Sequence, residues 1–178
     1  MRLPTLAEAA GLAEAPSGFW GKAALWWATG FGSGRLPVAP GTWGTLLVGV
    51  PAWWVPRLLG RWVPGLESWF LLAVIVASLA ACQRLVGGGK ADPGGIVADE
   101  VAGFLVAAWQ VPLPWLPVAF VLFRVMDIVK PWPARALERL GGAVGIVADD
   151  LAAGFYAAML LRAGWLLAGW LQGGGGPA

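Results

Sequence analysis

Sixteen consecutive residues from Ser68 to Gln83 carry no charge, and largely apolar stretches recur near 46–56, 96–110, 118–129 and 151–171. A helix needs about 17 or more such residues to cross a bilayer, so the first stretch is close to a minimal span. Charged side chains make up only 12% of the chain, about half of what a soluble domain uses to cover its surface. The polar material cannot coat a water-facing globule, and much of the surface must face lipid. The expectation is an all-α integral membrane protein with about four to five membrane-embedded helices. An amphipathic segment over Ser17–Ala28, with Phe19, Trp20, Trp26 and Trp27, reads as an interfacial N-terminal helix. Residues 1–16 then form an N-terminal tail, 17–172 the membrane domain and 173–178 a glycine-rich tail. Glu8 and Glu14 interrupt the first sixteen residues, so no cleaved secretory signal is expected.

Several classes of chemistry are excluded by composition. There is no histidine, which removes Ser-His-Asp triads, histidine acid–base catalysis and the usual zinc sites. Cys82 is the only cysteine, so no disulfide or cysteine-ligated metal forms within the chain. A net charge of +2 from dispersed basic residues argues against a nucleic-acid groove.

Against this apolar background one hexapeptide is written twice, fifty positions apart. Gly95-Ile96-Val97-Ala98-Asp99-Glu100 is answered by Gly145-Ile146-Val147-Ala148-Asp149-Asp150, and eight of fourteen aligned positions agree through Ala108 and Ala158. Each copy reads as the start of a helix carrying two adjacent carboxylates, where the helix dipole offsets part of their charge. Small residues at Ala102, Gly103, Ala107, Ala152, Ala153, Gly154 and Ala157 suit close packing of the two helices. Asp92 and Asp127 add further acids nearby. Carboxylates beside a bilayer are costly unless paired or metal-bound. With no His or Cys partner, these hard oxygen ligands point to Mg²⁺ or Mn²⁺. The plainer reading has the acids capping helices and pairing with arginines.

If the five apolar segments alternate across the bilayer, loop 30–45, loop 87–95 and the stretch 130–150 share one face. Lys22, Arg35, Arg84, Lys90, Arg124, Lys130, Arg135 and Arg139 fall on that face, against Arg57 and Arg61 opposite. The positive-inside rule makes the acidic face cytoplasmic. Five glycines and two prolines between Gly30 and Thr45 predict a defined loop rather than a helix. It either wraps a phosphate with backbone amides, with Ser33, Gly41 and Thr42 as contacts, or makes a tight re-entrant turn. Arg124, Lys130 and Lys90 suit a phosphate clamp, or snorkel at the interface.

Four ordered motifs carry a resemblance. They are Gly32–Gly44 (Gly-x-Gly, then Pro-x-x-Pro-Gly-Thr-x-Gly), Asp92–Gly103 (Asp-Pro-x-x-Ile-Val-x-Asp-Glu-x-x-Gly), Phe123–Pro133 (Phe-Arg-x-x-Asp-x-x-Lys-Pro-x-Pro) and Gly145–Asp150. In these the chain resembles the phosphatidylglycerophosphatase A family over roughly residues 28 to 160. One departure is Arg35-Leu36, where a small polar residue is expected. The resemblance implies an Mg²⁺-dependent, all-helical lipid phosphatase of the bacterial inner membrane. It would convert phosphatidylglycerophosphate to phosphatidylglycerol and inorganic phosphate. Asp99, Glu100, Asp149 and Asp150 would then hold metal, Asp127 or Asp92 would complete the shell, and Arg124 and Lys130 would grip the phosphate. Direct water attack is the simpler course. A cation or solute transporter using the paired acids is the rival, and it requires acids near the middle of helices. Oligomeric state is not encoded legibly in one chain.

Overall fold

The computed structural model describes residues 3–60, 62–86 and 93–171. Lys90, Asp92, Arg61 and the tail at 173–178, all singled out above, lie outside the described residues. Every regular element among the described residues is a helix, with no strand among them. The elements are α1 (Leu6–Ala9), α2 (Phe19–Ala28), α3 (Pro40–Gly44), α4 (Val50–Leu59), α5 (Leu66–Val86), α6 (Ala98–Ala107), α7 (Leu116–Val129), α8 (Ala134–Glu138) and α9 (Gly142–Leu171).

Among the described residues two helices are long and apolar enough to cross a membrane: Leu66–Val86, with mean hydropathy 2.0, and Gly142–Trp170, with 1.6. At 21 residues, α5 rises about 31 Å, matching a hydrocarbon core of about 30 Å. Only 22% of its most apolar window is buried inside the protein, so its Trp69, Leu72 and Val76 present apolar surface outward. A helix that apolar and that uncovered suits lipid rather than water. By contrast α6, with 10 residues, rises only about 15 Å and cannot span. It is the central helix instead, with Val101, Ala102, Phe104 and Ala107 all buried.

The crossing of α6 and α9 fixes the architecture. A Cβ on Gly154 would overlap the carbonyl oxygen of Gly103, and one on Gly103 would sit 2.5 Å from the carbonyl oxygen of Asp150. Two missing side chains therefore let the backbones touch, as the small-residue pattern predicted. Around this crossing Trp53, Phe104 and Phe123 form the largest fully buried side chains. The Trp53 indole donates to the Ala108 carbonyl at 3.0 Å, so its polar edge is satisfied inside the core.

Two sequence expectations are corrected here. The stretch from Pro40 is helical, running through a π-helical turn at Thr45–Gly49 into α4. Proline is well tolerated in the first helical turn, and the wide turn accommodates Pro51, which lacks an N–H to donate. Gly41 and Gly44, read as loop formers, instead give up their side chains to packing: a Cβ on Gly44 would lie 2.7 Å from Val97 Cβ. Likewise α9 begins at Gly142, not at 151. Asp149 and Asp150 thus lie about two turns inside the helix, where its terminal dipole no longer helps them. Only Asp99 and Glu100 occupy a first turn.

The segment before α2 is also folded onto the body. Thr5 and Glu8 close a capping box on α1, Arg35 Nε donates to the Pro4 carbonyl at 2.5 Å, and Ala10 is buried. At the far end of the molecule, Arg57 reaches the Ala108 carbonyl at 3.4 Å and Arg162 the Trp109 carbonyl at 3.1 Å. Arg162 therefore joins Arg57 opposite the acids, adding a basic residue to that side which its place inside an apolar run had hidden.

Candidate active site

Three of the predicted acids converge. Asp99, Glu100 and Asp150 each offer a carboxylate oxygen, and these oxygens lie within 4.8 Å of one another. Asp99 and Asp150 are each 3% exposed. The convergence follows from the crossing just described: Glu100 stands one turn before Gly103, and Asp150 one turn before Gly154. Ser78 Oγ of α5 donates to the Ala98 carbonyl at 2.9 Å, which ties the start of α6 to the flank of a membrane-length helix. Asp150 stands eight residues into α9, about 12 Å from the end of that helix. The site is recessed rather than laid on the surface.

Asp149 takes a different course. Adjacent residues on a helix point about 100° apart, and Asp149 turns toward Lys130, whose ammonium lies 2.6 Å from Asp149 Oδ2 and 3.0 Å from Glu138 Oε1. Its other oxygen, Oδ1, accepts the Asp150 backbone N–H at 3.0 Å. Burial alone would lower the Lys130 pKa, but its hydrogen bonds to Asp149 and Glu138, together with their charges, hold it above the ordinary lysine value. Lys130 is therefore a fixed cation. It sits in the left-handed conformation that caps α7, φ 46°, with Pro131 behind it ending the helix.

Arg124 and Asp127 face each other one turn apart on α7, at 2.8 Å, and the same guanidinium nitrogen lies 3.9 Å from Glu100 Oε1. Among the described residues Arg124 is thus the cation nearest the carboxylate trio. Among the described residues, the buried polar atoms without a hydrogen-bond partner include Glu100 Oε2, Arg124 Nε and Ser33 Oγ. Among the described residues one guanidinium faces four carboxyl groups, those of the trio and Asp127. Burying like carboxylates costs several kcal/mol per charge unless a cation compensates. Hard oxygen donors in this number could hold a metal ion.

The glycine-rich stretch 30–45 meets this cluster at Gly41. The amides of Gly32 and Gly34 bond the Thr29 carbonyl, and those of Thr42 and Trp43 bond the Ala39 carbonyl. They are occupied within the loop. Gly41, in the first turn of α3, lies against the acids: a Cβ there would overlap Glu100 Oε1 and lie 3.2 Å from Arg124 Nη1. Ser33 is buried, and Thr42 half-buried beside Gly41.

The sequence model of the family described as Phosphatidylglycerophosphatase A matches residues 26–165. The chain belongs to the phosphatidylglycerophosphatase A family. It is therefore a phosphatase and, with two apolar helices of spanning length, a membrane protein. Phosphatidylglycerophosphatase A of Escherichia coli K12 is 35% identical over 138 residues, covering 75% of this chain and 78% of its own length. The Haemophilus influenzae phosphatidylglycerophosphatase A is 35% identical over 144 residues, covering 76% and 85%. A Bacteroides thetaiotaomicron protein, provisionally named a phosphatidylinositol-3-phosphatase, is 37% identical over 147 residues, covering 78% and 92%. No solved structure matches the chain.

Within the phosphatidylglycerophosphatase A span, sequence reasoning passed over Glu138, which shares Lys130 with Asp149. It was visible as an acid between Arg135 and Arg139, but nothing marked its partner eight residues back. The Gly41 contact yields a direct test. Gly41→Ala is expected to displace the Glu100 carboxylate and lower activity by about 100-fold. The melting temperature in detergent should fall by only a few degrees, because Glu100 can swing away where a backbone could not. Full activity in this variant would remove Glu100 from the working site.

Proposed function

We propose that this protein hydrolyses phosphatidylglycerophosphate to phosphatidylglycerol and inorganic phosphate. Asp99, Glu100 and Asp150 would hold Mg²⁺, at the cytoplasmic face of a bacterial inner membrane. The observation that carries this reading is the trio of carboxylates within 4.8 Å, two of them buried, with Arg124 beside it, in a chain of this family. Mg²⁺ held there would polarise the phosphoryl oxygens and activate a water. The names of its relatives point to lipids whose phosphomonoester sits on a polyol that is joined through a phosphodiester. In the reaction, water oxygen bonds to phosphorus, the P–O bond to the glycerol breaks, and a proton passes to the departing alkoxide.

The chain's own groups have separable parts in this scheme. Arg124, oriented by Asp127 at 2.8 Å, turns a buried and otherwise unpartnered Nε–H to the phosphoryl oxygens. Lys130 and Asp149 brace the end of α7 against α9. The Asp149 Oδ1 contact to the Asp150 amide fixes the backbone that carries the third ligand. Asp149 in this reading positions Asp150 and leaves the metal to its neighbours. Lys90 and Asp92 remain candidates for phosphate and metal contact, as do Ser33 and Thr42 for the phosphate.

Membrane placement follows the same logic. At 30 residues, α9 is about 45 Å long, longer than a hydrocarbon core of about 30 Å, so its first turns can stand among headgroups. Beyond α5 and α9, the Pro40–Leu59 helix and the shorter α6 and α7 would dip into the same layer. That gives four to five embedded helices, with α2 near the interface and 17–172 as the working domain. The basic residues Arg84, Arg124, Lys130, Arg135 and Arg139 gather at the acidic end, against Arg57 and Arg162 at the other, which favours a cytoplasmic site. The interior position of Asp149 and Asp150 on α9 is what an ion transporter would show. A phosphatase family and the adjoining Arg124 favour hydrolysis.

The test is release of phosphate from phosphatidylglycerophosphate by purified protein with Mg²⁺ and with chelator. Inactivity with metal present would sink the reading. Mg²⁺ at about 100 times its dissociation constant should also stabilise the wild type by about 2.7 kcal/mol. An upward melting shift that persists in an Asp99→Asn, Asp150→Asn double variant would place the metal elsewhere.

A further inference from the structure

A cavity of about 350 Å³ opens at Lys130, lined also by Val129, Trp132, Arg135 and Arg139 among others. Its charge is of one sign. Arg135 and Arg139 stand one turn apart on the same face of the α8 segment, and both are exposed. The acid on this segment, Glu138, is held by Lys130 at 3.0 Å. Arg135 gives one guanidinium N–H to the Val129 carbonyl at 3.2 Å and keeps others free. Among the described residues, no acid pairs with Arg139. Lys130 lines the cavity and pairs with Asp149, the residue adjoining Asp150, so one ion pair links the cavity wall to the helix turn that carries the third carboxylate of the trio. Trp132, 81% exposed at the rim, is held in place by Tyr156, whose hydroxyl donates to the Trp132 carbonyl at 2.7 Å. An exposed tryptophan beside arginines is the composition of a headgroup-level surface.

We propose that this cavity binds the phosphodiester of the lipid whose phosphomonoester is hydrolysed at the carboxylate trio. The proposal rests on the hydrolytic reading above and extends it to substrate class: lipids in which one polyol separates a diester from a monoester. Planar guanidinium groups match the paired oxygens of a phosphate and form charge-assisted hydrogen bonds. A diester held here sets the distance at which the monoester presents itself, and a lipid bearing a monoester alone forfeits that contact. Neither arginine reaches the reacting atoms. Their contact is equal in ground and transition states, which affects KM rather than kcat.

The experiment uses the full-length protein in a neutral detergent, as wild type, Arg139→Gln and the Arg135→Gln, Arg139→Gln pair. The first probe is short-chain phosphatidylglycerol, which carries only the diester, measured by equilibrium binding. The double variant should bind it at least tenfold more weakly, with Arg139→Gln intermediate. Glycerophosphoglycerol, the same diester without acyl chains, should show the same ratio if the headgroup is read, and a ratio of one if only the lipid surface is sensed. Inhibition by inorganic phosphate should not change. With phosphatidylglycerophosphate, KM should rise at least tenfold with kcat altered less than twofold. Unchanged phosphatidylglycerol affinity, or a loss confined to kcat, overturns the assignment. Failure of wild type to hydrolyse the lipid sinks the hydrolytic reading instead, while the binding ratios still decide the cavity.

Discussion

Asp150→Asn is expected to lower kcat/KM for phosphate release about a thousandfold, roughly 4 kcal/mol of transition-state stabilisation. Its neighbour Asp149→Asn should lose only about tenfold. The two side chains are adjacent in sequence and equally buried, yet only Asp150 joins Asp99 and Glu100 within 4.8 Å, whereas Asp149 pairs with Lys130. Asparagine keeps shape and an oxygen but removes the charge that a divalent ion requires. The same change relieves repulsion within the cluster. In chelator the Asp150→Asn protein should therefore melt no lower than wild type, and by about 1–2 kcal/mol it should be the more stable. Activity would fall while metal-free stability rises. Equal losses in the two variants would show that Asp149 is a ligand as well, and a drop in metal-free stability would show that the carboxylate serves the fold.

The second large effect lies below the chemistry. Gly154→Ala adds one methyl group where the Gly103 carbonyl already stands. Backbone cannot swivel aside as a side chain does, so α6 and α9 must separate. The cost should be about 3 kcal/mol, with loss of activity because the trio opens. Gly164 and Gly169 lie on the same helix, and a methyl group on either would meet no atom within 4 Å. Alanine at either should leave activity intact and stabilise the helix by about 0.5–1 kcal/mol. Melting of the three variants in one detergent checks the contrast. If Gly154→Ala behaves like Gly164→Ala, the helices do not touch there.

Helix α5 could be read from sequence because sixteen uncharged residues permit little else, and α7 because its prolines bracket it. The starts of α3 and α9 could not. Gly41, Gly44 and Gly145 look like breakers to any local rule, but each is buried against a neighbour where a Cβ would crowd, at Gly145 the Glu138 carbonyl 3.0 Å away. Packing overrode propensity at those positions. The acids were conspicuous as a group because they repeat in a chain nearly free of charge. Which acid of each pair turns inward was not legible, since it depends on helix phase and on Lys130, 19 residues from Asp149. Arg135 and Arg139 drew attention only as topology markers, because their common cavity exists only once α8 has folded.

The Gly103–Gly154 crossing has a mechanical consequence. The acids stand one turn from the point where the two backbones meet, about 5 Å along either axis. A 10° change in crossing angle would shift the acids by only about 1 Å over so short a lever, whereas the distant end of α9 would sweep several times as far. Working sites hold their groups to within about 0.5 Å, a tolerance that a change of about 5° over this lever stays inside. The long helix can thus tilt with the thickness of its bilayer while the fulcrum keeps the carboxylates in register.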